Sequence, residues 1–192
     1  MNLVFWGREH AGGTTAHMVA VTGMLRALCG EECVVTGRFL REDTGKIAVS
    51  DCGTGFSGRR RHFLWHADLA VVNLRSKKES IARFFAEDFH VARRTMFLLE
   101  ARDGEEGVDA EYLCRMYRIP SERAAVIPYN PAFAEALRRG AGERFIRKQH
   151  TEPVTFENEQ FIRSVKRVAD RMLRLAGEDF LLSRMRQNVK EQ

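Results

Sequence analysis

The chain has 192 residues, of which 44% are hydrophobic and 30% are charged, and its formal net charge is +5. These values are typical of one folded globular domain with a substantial core, and they exclude an intrinsically disordered chain. A positive charge of this size permits contact with nucleic acid or with an acidic lipid surface but does not require it.

The cysteines and the apolar segments indicate the compartment. The four cysteines include no C-x-x-C pair and no matching histidine pair, which argues against a zinc site and favours free thiols in a reducing cytosol. No apolar segment approaches the ~20 residues of a transmembrane helix, and the N-terminus lacks the layout of a secretory signal. We therefore expect a cytoplasmic protein.

Alternating apolar runs and helical patterns predict an α/β fold with a mostly parallel sheet. Strands are predicted over residues 3–6, 33–36, 47–50, 69–74, 95–99 and 124–127. Helices are predicted after the first, fourth, fifth and sixth of these strands. A connector over residues 149–155 precedes a long amphipathic helix. We expect a single domain over residues 1–192, with an α/β core over 1–148 and an amphipathic helix and tail over 156–192.

A glycine-containing loop connects the first strand to the first helix. It reads Gly7-Arg8-Glu9-His10-Ala11-Gly12-Gly13-Thr14-Thr15. Against the phosphate-binding pattern G-x-x-x-x-G-K-[S/T], Gly7, Gly12 and Thr14 are in register. Gly13 stands at the lysine position. In such a loop, glycines let backbone N–H groups converge on an anion at the helix N-terminus. Thr14 is then placed to ligate Mg²⁺ and Thr15 to bond a phosphate oxygen. The alternative is a plain glycine turn.

An acidic residue ends the third predicted strand. Asp51 occupies that position, and Gly53-Thr54-Gly55 follow it. A strand-end carboxylate beside a phosphate loop anchors Mg²⁺ in nucleotide hydrolases. We therefore predict Asp51 as a second metal-binding residue beside Thr14, and Gly55 as a switch residue near a γ-phosphate. The alternative is that Asp51 only caps the next turn.

The order of these motifs resembles that of the MinD/ParA class of P-loop ATPases. In that class an additional lysine opens the loop, K-G-G-x-G-K-T-T, which corresponds to residues 8–15 here. Residues 47–55 resemble the I-I-I-D-x-P-x-G strand and switch, residues 67–74 the A-D-x-x-x-x-V strand, and residues 127–140 the I-P-x-D…A…G ending. The resemblance extends over residues 1–148. It implies a P-loop NTPase-like three-layer fold, with helices on both sides of a mostly parallel sheet, and a site for ATP or ADP with Mg²⁺.

The sequence departs from this class where phosphates would bind. Gly13 stands where the class has its second lysine, and Arg8 stands where it has the first. Arg8 is therefore the one cation of the loop, and a guanidinium does not reproduce the geometry of an ammonium group. Glu9 in the loop repels an anion. The second strand ends without the catalytic carboxylate of the class. Because these losses remove transition-state stabilisation, we expect weak nucleotide binding and little or no hydrolysis.

A narrower resemblance suggests a role. The lysine-poor G-x-T-T loop and the V-V-N-L strand are similar to degenerate members such as the TadZ and CpaE proteins, which position pilus or secretion machinery. The leading hypothesis is a localisation or assembly factor that acts through a homodimer or a protein partner. Its nucleotide-binding residues are predicted to be Gly7, Arg8, Gly12, Gly13, Thr14 and Thr15. Two alternatives stay open: an active ATPase that uses Arg8 or a residue of a partner chain, and an interaction module without nucleotide.

The last predicted helix and the tail offer further surfaces. The polar face of the helix carries Arg163, Lys166, Arg167, Arg171 and Arg174. We interpret this face as a solvated surface, with nonspecific contact to DNA phosphates as the alternative. Residues 180–189 form a short amphipathic segment that would dock on a partner or lie peripherally at an anionic membrane.

The histidines show no metal-binding spacing. His10 and His17 flank the glycine loop, and His62 and His66 lie before the fourth strand. We expect them to be solvated or to cap turns.

Overall fold

The computed structural model describes residues 1–8, 13–40, 44–55, 58–86, 94–101 and 107–177. The strands are β1 (Asn2–Gly7), β2 (Val34–Thr36), β3 (Ile47–Thr54), β4 (Leu69–Arg75), β5 (Thr95–Ala101) and β6 (Ala124–Pro128). The helices are α1 (Thr14–Cys29), α2 (Gly58–Trp65), α3 (Lys78–Ala86), α4 (Ala110–Tyr117), α5 (Pro131–Arg138), α6 (Gly142–Thr151) and α7 (Phe156–Ala176). Single turns of 3₁₀ helix, Glu31–Cys33 and Ser121–Arg123, precede β2 and β6.

The six described strands form one parallel sheet in the order β2-β3-β1-β4-β5-β6. Parallel neighbours need crossover connections, and these connections carry the helices. The sheet is covered on both faces, which explains why its strands read as continuous apolar runs. The predicted α/β fold, a mostly parallel central sheet flanked by helices, is therefore confirmed.

β1 shows how the chain builds a hydrophobic core on each face of the sheet. Leu3 and Phe5 face one core, and Val4 and Trp6 face the other, and all four side chains are fully buried. This alternation is the period of two that a strand imposes. The first core also contains residues of α1, α5, α6 and α7, and the second contains residues of α2, α3 and α4. The sheet thus lies between two helical layers.

α1 and α6 approach each other through glycines. A Cβ atom on Gly23 of α1 would lie 3.0 Å from both the Glu143 carbonyl oxygen and the Ile146 Cβ atom of α6. A Cβ atom on Gly142, at the start of α6, would lie 2.8 Å from Cγ1 of Val19. These distances are shorter than those of most real Cβ contacts, so glycine at both positions lets the two helices approach closely.

Short polar side chains begin two of the helices. Asp109 accepts a hydrogen bond of 2.8 Å from the Tyr112 amide at the start of α4. Asn130 accepts one of 2.7 Å from the Phe133 amide at the start of α5, where Pro131 is the first helical residue. These are N-cap interactions, and they satisfy amides that have no partner within the helix.

Two helices differ from the sequence prediction. α2 lies where no helix was predicted, and α6 extends over residues 149–151, the first three residues of the predicted connector. Residues 37–40 and 44–46, between β2 and β3, contain no helix. Within the described ranges, no helix combines the length and the apolar character needed to cross a bilayer.

Candidate functional site

The predicted site residues that the structure describes lie at or near the carboxyl ends of the strands around β1. The helix that follows β1 packs on one face of the sheet, whereas the helices that follow β3 and β4 pack on the other. Because the connections leave in opposite directions, a crevice opens between them at this edge of the sheet. Ligands of open α/β sheets bind at such a crevice.

The end of β1 is tied to the predicted switch residue. The Gly55 amide donates a hydrogen bond of 3.2 Å to the Gly7 carbonyl, and Nε1 of Trp6 donates one of 2.9 Å to the Gly55 carbonyl. Gly55 has a φ of 75°, a conformation that favours glycine. Gly55 is therefore held against Gly7, where the predicted phosphate loop begins.

Asp51 contacts the first turn of α1 through the second of its two threonines. Oγ1 of Thr15 donates a hydrogen bond of 2.8 Å to Oδ2 of Asp51, and the Gly53 amide donates one of 2.6 Å to Oδ1. Asp51 is exposed, so its carboxylate faces the crevice mouth rather than the core. The structure therefore brings Asp51 to the loop, as the sequence predicts, and both the Mg²⁺ role and the turn-capping role of Asp51 stay predictions.

Thr14 has a buried hydroxyl without a partner. Its side chain is 6% exposed, and over the described ranges its Oγ1 atom makes no hydrogen bond. Thr14 is the first residue of α1, and no side chain of the described ranges caps this helix end. Helix N-termini attract anions, and buried hydroxyls usually have partners, so this position suits a ligand.

Gly13 is surrounded by a carboxylate and an imidazole. It has a φ of 65° and precedes α1, and a Cβ atom at this position would lie 3.3 Å from Cδ of Glu100 and 3.3 Å from Cε1 and Nε2 of His17. Glu100 comes from β5 and His17 from the second turn of α1. The position that carries a lysine in the phosphate-binding pattern is thus packed by an acid and a histidine.

His17 and Asn73 form a buried polar pair behind this position. Nδ1 of His17 lies 2.8 Å from Oδ1 of Asn73, while Nδ2 of Asn73 donates to the carbonyls of Trp6 (3.1 Å) and Val71 (3.3 Å). Because the Asn73 amide is oriented by these carbonyls, its oxygen accepts the proton of Nδ1. Burial lowers the pKa of His17 to about 4, and the bond to Asn73 opposes this shift. His17 is therefore neutral at pH 7.

Two predicted binding residues remain to be placed, Arg8 and Gly12. Nη1 of Arg8 lies 3.4 Å from the Arg83 carbonyl of α3, so its guanidinium extends along the surface toward that helix. Gly12 lies outside the described residues, as do Glu9 and His10. The site roles predicted for Gly7, Arg8 and Gly12 stay predictions.

Sequence reasoning missed three residues of this cluster. No site role was predicted for Glu100, which follows the strand predicted over residues 95–99, or for Asn73, which lies within the strand predicted over residues 69–74. His17 was expected to be solvated or to cap a turn, and that expectation is wrong because its side chain is buried on Asn73. An asparagine inside an apolar strand is a signal that could have indicated a buried polar partner.

A magnesium nucleotide fits these residues only in part. Among the described residues, nothing bonds the Thr14 hydroxyl or caps the start of α1, and both features suit a bound anion or metal. Around Gly13, however, the neighbouring groups are a carboxylate and a neutral imidazole, where β- and γ-phosphates need a cation. The arrangement offers positions for binding and lacks the charge that supports phosphoryl transfer at this point.

The comparisons with known proteins identify the fold. No family profile and no curated protein sequence matches the chain. The structure resembles a ParA family ATPase from Chlorobium tepidum, with a TM-score of 0.62 and 10% identity over 88% of this chain and 96% of that one. It also resembles the septum site-determining protein MinD from Pyrococcus horikoshii in complex with Mg-ADP, with a TM-score of 0.59 and 11% identity over 92% and 98% of the two chains.

A third similar structure, from Aquifex aeolicus, is a complex of the cell division proteins MinC and MinD. Its TM-score is 0.52, with 11% identity over 90% of this chain and 96% of that one. Identities this low report on the fold alone. Together with the parallel sheet and the helices on both of its faces, these similarities show that the described chain has the fold of the ParA and MinD ATPases.

Proposed function

We propose that this chain is a ParA/MinD-like protein with a degenerate ATP site, which acts as a localisation or assembly factor through a homodimer or a protein partner. The observation that carries the proposal is the environment of Gly13. Glu100 and His17 pack where the phosphate-binding pattern has a lysine.

The charge around Gly13 opposes hydrolysis. A carboxylate beside the phosphates repels them, and the neutral His17 offers no compensating charge. Loss of one preorganised donor to a developing charge typically costs about 3 kcal/mol of barrier, or roughly 10²-fold in rate. A missing lysine together with an added carboxylate exceeds that loss. The protein is therefore a pseudo-ATPase in this proposal.

Weak binding of ATP or ADP with Mg²⁺ remains part of the proposal. Its support is the Thr14 hydroxyl, which is buried at the start of α1 with no partner in the described part of the chain. Thr14 and Asp51 would hold the metal, and Gly7, Arg8, Gly12, Gly13 and Thr15 would surround the phosphates. Gly55, held against Gly7, would respond to the nucleotide.

A pair of threonine variants tests the site. Thr14 and Thr22 are both buried in α1, and neither hydroxyl has a hydrogen bond in the described ranges, but only Thr14 lies at the loop. Replacing either by valine removes an unsatisfied hydroxyl, so each variant should be more stable than the parent by about 1 kcal/mol in the absence of nucleotide. Only Thr14→Val should weaken binding of ADP with Mg²⁺ in isothermal titration calorimetry. Equal binding by the parent and both variants would show that Thr14 holds no ligand.

Turnover measurements separate the three hypotheses. If the site is degenerate, the protein should bind nucleotide in calorimetry but should not hydrolyse it faster than the protein-free rate. Arg8→Ala should then weaken nucleotide binding further. An active ATPase instead predicts turnover that increases with protein concentration, if a partner chain completes the site, and that Asp51→Ala abolishes. An interaction module without nucleotide predicts neither binding nor turnover. Sedimentation with and without nucleotide would show whether binding changes the oligomeric state.

The cellular role is proposed from the sequence resemblance. The similarity to TadZ and CpaE proteins suggests positioning of pilus or secretion machinery, and the MinC complex of one structural neighbour is an example of a protein partner bound to this fold. We propose a cytoplasmic location, with peripheral contact to the membrane as an option. Fractionation of cells that express the tagged protein, before and after a high-salt wash, would distinguish the two locations.

A further inference from the structure

A groove lies along the edge of the sheet, away from the crevice described above. It runs between α4 and α7 and has β6 as its floor. Its main cavity has a volume of about 460 Å³ and is lined by Ala110 and Cys114 of α4, by residues 124–126 of β6, and by Arg167 and Arg171 of α7. A second hollow of about 430 Å³, which shares Ser121 and Arg171 with the first, extends the groove to Arg174.

The floor of this groove is an open strand edge. β6 pairs with β5 on one side, and no described strand pairs with its other side. Nη1 of Arg171 donates a hydrogen bond of 2.9 Å to the Ala124 carbonyl. This bond indicates that the backbone carbonyl of Ala124 points away from β5, toward the open edge. Since the backbone groups of a parallel strand alternate between its two neighbours, Val126 also presents its N–H and C=O on the outer edge. Exposed edges of this kind pair with additional strands.

The arginines of the groove differ from the other basic residues of α7. Arg163 and Lys166 each form an ion pair with an acidic residue of the same helix, Glu159 and Asp170 respectively. Across the described ranges, Arg167, Arg171 and Arg174 have no carboxylate within ion-pair distance. Three arginines without acidic partners thus follow one wall of the groove.

The acidic residues that line the groove do not neutralise the positive charge of these three arginines. Glu111 on the α4 wall lies 3.8 Å from Arg115 of its own helix, so its charge is already partnered. Glu122 lines the second hollow only. The remaining lining is apolar or uncharged and includes Val126, which is half-buried. The groove therefore combines an open strand edge, an apolar floor and a positively charged wall.

We propose that this groove binds an extended acidic segment of a partner protein, which adds to the sheet beside β6 and places carboxylates against Arg167, Arg171 and Arg174. An extended chain matches a strand edge because its own N–H and C=O groups can pair with Val126. Alternate residues of such a segment face opposite sides of the sheet, so acidic side chains meet the arginines of α7 while apolar ones face Ala110 and Cys114 of α4. This inference does not depend on nucleotide binding.

The geometry favours a single extended chain over a nucleic acid duplex or a lipid surface. Both of those present a broad charged surface, which would contact the outermost basic residues of α7 as readily as those inside the groove. The three arginines without acidic partners instead line a recess whose floor offers backbone hydrogen bonds. A strand of alternating acidic and apolar residues uses all of these features together.

The test measures fluorescence polarisation of a labelled octapeptide of alternating glutamate and valine with the full chain. We expect saturable binding that weakens as NaCl rises, because exposed ion pairs are screened. An alternating lysine and valine peptide should not bind. The same acidic peptide with N-methyl groups on alternate amides cannot pair with a strand edge, and it should bind about tenfold more weakly or worse. Equal affinity for the N-methylated peptide would contradict pairing with β6.

Matched charge variants test the wall. Arg167→Gln with Arg174→Gln should weaken binding about tenfold, and it leaves the bond between Arg171 and the strand intact. Arg163→Gln with Lys166→Gln removes the same charge from the same helix and should leave affinity unchanged. The proposal is wrong if both pairs weaken binding equally, if the acidic peptide does not bind, or if duplex DNA or anionic vesicles compete for the chain through Arg167 and Arg174 more strongly than the peptide does.

Discussion

Acidification is expected to destabilise the folded chain through His17. This side chain is buried against Asn73, and burial lowers its pKa to about 4 from an ordinary value of 6.5. Between these two values the unfolded chain binds a proton at His17 and the folded chain does not. The free energy of unfolding should therefore rise with pH across this window and fall as the solution is acidified.

The size of the effect follows from the two pKa values. Their difference corresponds to about 3 kcal/mol, reached in full below about pH 4, with a slope of about 1.4 kcal/mol per pH unit in the middle of the window. Urea denaturation at several pH values between 4 and 7 would measure it. His17→Gln keeps an uncharged hydrogen-bond donor toward Asn73, so its unfolding free energy should lose this part of the pH dependence.

An exposed histidine provides the control for this experiment. His62 lies on the surface of α2, and His62→Gln should retain the pH profile of the parent. The comparison concerns the change with pH, so a constant loss of packing in either variant does not affect it. A profile for His17→Gln that is parallel to that of the parent from pH 4 to pH 7 would refute the assignment of His17 as a buried neutral group.

Three further predictions concern stability and the site. Gly23→Ala should destabilise the chain by about 1 kcal/mol in urea denaturation, because contact with Glu143 at 3.0 Å outweighs the better helix propensity of alanine; a more stable variant would show that α1 and α6 can separate freely. Gly13→Lys and Gly13→Ala should each cost about 1–2 kcal/mol, since both place a side chain at a φ of 65°. Calorimetry should find that the lysine adds no ATP affinity while Glu100 stays, and tight binding by Gly13→Lys alone would contradict the proposed obstruction. Asp109→Ala should cost about 1 kcal/mol by removing the N-cap of α4, and an unchanged urea midpoint would contradict that role.

The strands could be predicted from the sequence because their burial is local information. A strand covered on both faces reads as a continuous apolar run, and β1 and β4 are runs of this kind. α2 and α6 were missed for the opposite reason. Among the described side chains of α2 the buried one is Leu64, and α6 packs mainly through Ile146 and the glycine contacts with α1. Neither sequence has a broad apolar stripe. Their positions depend on contacts with distant elements.

Only those parts of the candidate site that follow from the order of residues along the chain could be predicted. The loop, Asp51 and Gly55 could be named because they follow strands in the order of a known family. The neighbours of Gly13 could not, since Glu100 lies on β5 and approaches it only when the sheet forms. The sequence likewise does not show that Asp51 bonds Thr15 while Thr14 has no partner in the described part of the chain. These distinctions arise from the packing of α1 on the sheet.

The position of Gly13 explains how the fold can persist without its lysine. The two cores are assembled by alternate residues of β1, such as Phe5 and Trp6, whose side chains are fully buried. A lysine in the loop would contribute to neither core, so its absence removes catalytic charge without removing buried apolar area. Glu100 beside Gly13 then places a negative charge that a phosphate site would exclude. Selection for phosphoryl transfer would oppose a missing lysine combined with a nearby carboxylate, whereas selection for a partner-binding surface would not. We therefore expect the function of the chain to be most sensitive to mutations in the groove beside β6.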